Sequence, residues 1–295
     1  MDLFGQRVSG TMPCRDCKAA GNPFFAAQCE RQANLKRQAL NGLVFYQFDG
    51  LACYSDLYHG AFTRLGGVSH APFASLNLAR SVGDDGEAVR ENNLRMLGAF
   101  DVTPDRATTA WLVHSRSVAV MTHADAGSHR QGFDAIVTRE RGLALTMRFA
   151  DCVPIVFFDP AQLAIGLAHA GWRGVAENVI AATVAALHDN FGSRPHNLWA
   201  GIGPCISADW YRVGQEVIDL ITPACPPHAS IVRRHSDGSL HLDLNAAVMS
   251  QLQACGVENI ENSAICTASN TTEWFSHRAE HGKTGRFGVV IGLRE

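Results

Sequence analysis

Apolar residues fall in short runs along most of this chain, broken by Gly, Pro, Asn and Asp. Runs over residues 43–48, 108–113, 117–122, 133–138 and 143–149 have the length and β-branched or aromatic content of strands. So do residues 153–158 and 163–168, two nearly unbroken apolar runs separated by the turn signal Asp159-Pro160. Helical spacing takes over at 87–100, where Val89, Leu94, Leu97 and Phe100 share a face. A second helix is expected over 175–191, with Gly192 just past its end. Beyond it, 198–202, 240–242, 263–267 and 287–293 read as strands, and 213–221 and 244–254 as helices. The stretch 51–57 reads as a possible partner strand of 43–48 across an Asp49-Gly50 hairpin turn. Residues 60–85 and 270–283 read as loops. Strands and helices are intermixed and no linker divides them. The pattern therefore predicts one α+β domain with mixed sheets over residues 42–295.

Residues 1–41 differ. They hold Cys14-x-x-Cys17 and Cys29, half of a zinc knuckle without a fourth ligand nearby. Residues 30–40 are polar and helix-compatible. The segment is predicted to be an extension ending in a short helix.

Composition narrows the classes. Hydrophobic residues make up 46% of the 295, charged residues 18%, and the formal net charge is -3. Such a balance gives no electrostatic footprint for nucleic acid. No apolar run is long enough to span a membrane, and the N-terminus has no signal-peptide pattern. The nine cysteines are scattered rather than arranged as a disulfide framework. A cytoplasmic protein with reduced thiols is expected. The oligomeric state has no signature in the sequence.

Chemistry-bearing residues gather around 149–174. If 153–158 and 163–168 form a hairpin turning near Ala161, Cys152 and His169 lie almost opposite, about 4.5–5.5 Å apart. His114 ends a strand and is free to face the same place. Two readings follow. His114, Cys152 and His169 can hold zinc, with a fourth position left for water, as in catalytic zinc sites. Alternatively, Cys152 is a nucleophile and His169 its base. Arg64 beside Gly66-Gly67, with Asn77 further along the loop, reads as an anion site. Gly171 to Gly174 open a helix, where backbone donors and Arg173 favour anions. His123 and His129 read as solvated.

The run FTRLGGVS…SLNL…VGDD, then ADCVPI, AHAGWRG, GIGPCI and the terminal TGR, in this order, resemble the YfiH-like family, also called the laccase-domain or multicopper polyphenol oxidase family. The likeness covers residue 43 to the end. It implies a single α+β domain with a zinc-containing cleft, and it maps a His–Cys–His metal set onto His114, Cys152 and His169. It further implies phosphorolysis of purine nucleosides (adenosine, inosine, guanosine, methylthioadenosine), with adenosine deamination as a second reaction. Arg64 and Asn77 are the expected phosphate and substrate contacts, with Arg173 on the cleft wall. A cell-wall-precursor editing hydrolase is one alternative. A copper laccase is another, disfavoured because no His-x-His element occurs in the chain, and a non-catalytic binding protein with a degenerate site is the third. Three segments depart from the family pattern: Leu112-Val113-His114-Ser115, Ala79-Arg80-Ser81 and Phe275-Ser276-His277-Arg278-Ala279. They put rim contacts, not the metal set, in question.

Overall fold

The first element described is an edge strand where the sequence pattern suggests a helix. The structure, a computed structural model, describes residues 35–295. Strand β1 (Leu35–Leu40) pairs antiparallel with β2 (Leu43–Phe48), and Asn41-Gly42 make the turn with φ of 50° and 82°. That Asn-Gly pair is the hairpin signal. Asp49-Gly50 instead leads into a single 3-10 turn, Leu51–Cys53. Residues 35–40, read from sequence as part of the extension, thus belong to the first sheet. Cys14, Cys17, Cys29 and the start of the expected short helix lie outside the described residues.

Next come β3 (Leu57–Phe62), helix α1 (Gly86–Gly98), β4 (Ala107–Trp111), β5 (Val118–Val120), β6 (His129–Gln131), β7 (Ala135–Thr138) and β8 (Ala144–Phe149). The strands β9 (Val153–Asp159) and β10 (Ala164–Ala170) follow, then α2 (Trp172–Ala176) and α3 (Val179–Phe191). The last part holds β11 (Trp199–Ile202), β12 (Arg212–Val213), α4 (Gln215–Ile221), β13 (Val232–Arg234), β14 (Leu240–Leu242), α5 (Leu244–Ala254), β15 (Asn259–Asn262) and β16 (Phe287–Leu293). The fold is α+β.

A seven-stranded sheet runs β1-β2-β3-β16-β8-β4-β6, and a six-stranded sheet runs β15-β11-β9-β10-β7-β5. Both are mixed, since β4 runs parallel to β8 and β11 parallel to β15. A three-stranded sheet, β12-β14-β13, lies apart from these. Side-chain alternation builds the layers. Val156 and Phe158 of β9, with Ile165 and Leu167 of β10, meet Leu145, Met147, Val289 and Ile291 of the first sheet. The opposite face of β9 and β10 (Val153, Ile155, Phe157, Ala168) packs on Val179, Val184 and Leu187 of α3 and on Val248 of α5. On the outer face of the first sheet, Phe45, Phe62 and Val290 receive Met96 and Leu97 of α1. The layers therefore stack as α1, first sheet, second sheet, helices.

Strands β9 and β10 are buried at every position, which is why they read as unbroken apolar runs. They pair antiparallel, with Ala164 opposite Asp159. The Asp159 carboxylate accepts from the N–H groups of Ala161 and Gln162 and shapes the turn. His169 faces Pro154 and Ala170 faces Val153. Cys152 is thus a diagonal neighbour of His169, two residues along from the position directly opposite it, where the sequence suggested that the two lie almost opposite.

Elsewhere the pattern misjudged particular elements. The helix expected over 175–191 is two, because Asn178 adopts a left-handed φ of 63° between α2 and α3. β15 occupies 259–262, ahead of the strand expected at 263–267. Leu57–Phe62, partly assigned to loop, is a fully buried central strand.

Candidate active site

Three segments that leave the sheets converge on one point. His114 lies just past β4, on a loop held by Asp134, the residue preceding β7. Its Oδ2 accepts from the N–H groups of Val113 (3.2 Å) and Ser115 (2.7 Å) and from the Ser115 hydroxyl (3.0 Å). Its Oδ1 accepts from the N–H of His114 at 3.0 Å. These bonds hold His114 in the left-handed region, φ 62°, which a side chain rarely adopts unaided. Cys152 follows Asp151, φ 85°, in the bend between β8 and β9. Asp151 is anchored in turn, accepting from the Thr267 hydroxyl and the N–H of Arg278, each at 2.7 Å. His169 is near the end of β10.

The ligand atoms of His114, Cys152 and His169 all lie within 4.8 Å of one another. His169 is buried, Cys152 half-buried and His114 exposed, so the group opens to one side. Asp134 Oδ1 lies 3.0 Å from His169 Nδ1. A proton on Nδ1 makes that bond and leaves Nε2 free to ligate, the carboxylate–histidine arrangement of metal sites. Gly171 keeps the space clear, since a Cβ there would come within 3.0 Å of Cys152 Sγ and 3.1 Å of His114 Cδ2. Two imidazoles and a thiol, one side open, fit a metal ion of the zinc or copper type. Among the described residues this is the group of His, Cys, Asp and Glu that could hold a metal.

The electrostatics agree. Burial works against charge on Asp134, yet the bonds from His169, Ser115 and Val113 hold its carboxyl at about 2. Burial likewise opposes charge on Cys152 and His169. The attraction between them wins, supported by His114 and Asp134, so the thiol is drawn down and the imidazole up. A thiolate is the form that binds metal.

The group sits in a cavity of about 1030 Å³. Arg173, Trp172, Tyr211, His277, Arg278 and Arg286 line it, along with Arg80, Ser81, His129 and Arg148. Arg173 lines the cavity from α2, which is only five residues long. His129, expected to be solvated, is exposed, and it also borders the cavity. Arg80, Ser81, Leu112, His277 and Arg278, from the segments that depart from the family pattern, also line the cavity.

Arg64 and Asn77 are not among the lining residues. Arg64 is already engaged. Its Nε donates to Ala74 O (2.8 Å), and its Nη1 donates to Thr271 O (2.7 Å) and Glu280 Oε1 (3.0 Å). Its guanidinium stacks on Phe275, 4.4 Å from the ring centroid. The adjacent glycines serve backbone packing: a Cβ on Gly67 would overlap Ser75 O, and Gly66 has φ +90°. Asn77 is fully buried and acts indirectly, accepting from the N–H of Arg286 at 2.9 Å. Asp134 was missed altogether. Its only trace in the sequence is an acid at the head of the apolar run FDAIVT.

Residues 58–294 match the family model described as multi-copper polyphenol oxidoreductase laccase. The purine nucleoside phosphorylase YlmD of Geobacillus stearothermophilus is 37% identical over 246 residues, covering 80% of this chain and 90% of that protein. A purine nucleoside phosphorylase of Corynebacterium glutamicum is 34% identical over 232 residues, covering 78% and 92%. The crystal structure of YlmD from Geobacillus stearothermophilus superposes with a TM-score of 0.83 at 35% identity, covering 88% of this chain and 98% of that one. The YfiH protein of Bacillus licheniformis gives 0.81 at 29% identity, covering 86% and 97%. This chain belongs to the laccase-domain, YfiH-like family.

Proposed function

We propose that this protein is a zinc-dependent purine nucleoside phosphorylase, converting a purine nucleoside and phosphate to free base and ribose 1-phosphate. The observation that carries the reading is the His114–Cys152–His169 group opening into an arginine-lined cavity, in a chain whose relatives bear that name. In phosphorolysis a phosphate oxygen bonds to C1′ as the C1′–N9 bond breaks. The electron pair leaves with the base, which takes up a proton. Both the attacking phosphate and the departing base carry negative charge, and preplaced cations stabilise it. With Arg64 engaged elsewhere, Arg173, Arg278 and Arg286 are the arginines for this task, while Trp172 and Tyr211 offer flat surfaces to the purine.

His114, Cys152 and His169 would hold the metal, oriented by Asp134. Bound zinc supplies Lewis-acid charge and can lower the pKa of a water ligand to about 7. Adenosine deamination as a second reaction calls on the same chemistry. Cys152, as a thiolate ligand, would not act as a free nucleophile. A laccase needs several copper centres, and among the described residues the donor set is a single group of three.

The test is a nucleoside panel assayed with and without phosphate, alongside metal analysis of the purified protein. Phosphate-dependent release of purine base, about one zinc per chain, and loss of both in Cys152→Ala are expected. An unchanged rate in Cys152→Ala, or several coppers per chain, would sink the reading. Ammonia release from adenosine without phosphate marks the deaminase reaction.

A further inference from the structure

The cavity is charged out of keeping with the chain around it. Six arginines line it, Arg80, Arg90, Arg148, Arg173, Arg278 and Arg286, against one acid, Asp151. The whole chain is formally -3. Asp151 is itself taken up by Thr267 and by the N–H of Arg278. The cavity is thus cationic, and the arginines do not all serve the same end of it. Arg173 and Arg278 act on Tyr211, as the charge on Cys152 does, and that charge also reaches Arg286.

Arg148 belongs to a different region. It lies on β8 toward α1, not toward the sheet–sheet core. Its Nε donates to Leu78 O (2.5 Å), its Nη1 to Thr109 Oγ1 (3.3 Å) and its Nη2 to Asn93 Oδ1 (3.2 Å). All three acceptors are neutral. Among the described residues no carboxylate offsets its charge, and burial alone acts on it, lowering its pKa to about 10. A half-buried guanidinium with no carboxylate partner is a ready position for an anion. The three bonds leave N–H donors in hand on a planar fork suited to phosphoryl oxygens. Arg80, just beyond Leu78, lines the same cavity and makes only a long 3.4 Å bond to Gly86 O. Ser81 and Thr109 add hydroxyls to the wall.

We propose that Arg148, with Arg80, forms a second anion subsite in this cavity, distinct from the His114–Cys152–His169 group, that takes a phosphoryl group. Two sources share that chemistry: inorganic phosphate, or a phosphoryl carried on the 5′ position of a nucleoside. The proposal rests on the nucleoside reading of the cavity for its ligand class, but not for its test.

The test is direct calorimetric titration of the whole protein with inorganic phosphate and, separately, adenosine 5′-monophosphate. Wild type, Arg148→Met, Arg148→Lys and Arg80→Gln are compared, with thermal melts to establish folding. Wild type is expected to bind at least one of the two anions. Arg148→Met should weaken that binding by about thirtyfold or more. Arg148→Lys should fall between, and Arg80→Gln should weaken it less. Loss confined to the nucleotide identifies a site for a 5′-phosphoryl, and loss that extends to inorganic phosphate identifies a phosphate site. Should Arg148→Met fail to fold, the other two variants decide. Wild-type affinity in every folded variant, or no anion binding by wild type, overturns the proposal. Titration needs no turnover. A protein inert toward nucleosides whose anion affinity still depends on Arg148 would sink the phosphorylase reading and keep the subsite.

Discussion

Asp134 does more with one carboxylate than any other side chain at the site. It accepts from three consecutive backbone N–H groups, from the Ser115 hydroxyl and from His169. Asp134→Asn removes the charge and turns one acceptor into a donor facing those N–H groups. It is expected to cost about 2–4 kcal/mol in urea unfolding and to lower metal affinity about 10–100-fold in competition with a chelator. Arg64→Met is the contrasting case. It leaves Glu280 with its bonds from Ser276 and Thr284 but strips two carbonyls of their donor. A loss of about 2–3 kcal/mol is expected, with the KM for phosphate unchanged. A large rise in that KM would return Arg64 to the anion site. The difference between the expected and the observed surroundings of Arg64 has a physical cause: Gly66-Gly67 look the same in sequence whether they admit a ligand or neighbouring backbone. The partners of Asp134, on the loop 113–115, are set by folding and leave no local pattern.

At the scale of elements, legibility followed burial. β9, β10 and β16 are buried at every position and were plain in the sequence. β1, an edge strand with a mostly exposed, polar LKRQAL, was mistaken for helix, because edge strands carry the charges that discourage further pairing. His59 and Gly60 hid β3, since a polar residue and a glycine interrupt the apolar run. Helix starts were better marked. Asp85 caps α1 by accepting from the N–H of Ala88 at 2.8 Å, with Glu87 in the first turn. Asp85→Ala is expected to cost about 1 kcal/mol in thermal or urea unfolding. A cost near zero would mean that packing of Met96 and Leu97 alone holds the helix.

For the whole molecule, acid is the informative perturbation. His59 lies in the core between the sheets, and its Nε2 accepts the N–H of Phe48 at 2.8 Å. Burial pushes its pKa from 6.5 down to about 3. Between those values the unfolded chain binds a proton that the folded chain refuses. Stability present above pH 6.5 therefore drains as the pH falls toward 3, by on the order of a few kcal/mol. Unfolding free energies in urea at neutral pH and near pH 4 test this, and His59→Gln should flatten the difference. The layered α+β architecture was legible because its inner strands are so apolar. The placing of six arginines around one cavity was not, because they come from distant segments of the chain.

One consequence concerns the bridging position of the metal-type group. His114 hangs from a strand of the first sheet, His169 belongs to the second, and Cys152 sits in the bend that joins them. An ion held there is a rivet between two layers, added to their apolar packing and to the bonds from the 113–115 loop to Asp134. Its free energy of binding then adds to that of folding, rising with the logarithm of free ion concentration. Chelation should lower the melting temperature of wild type and leave that of Cys152→Ala unmoved. Prising the layers apart and emptying the site would be one event.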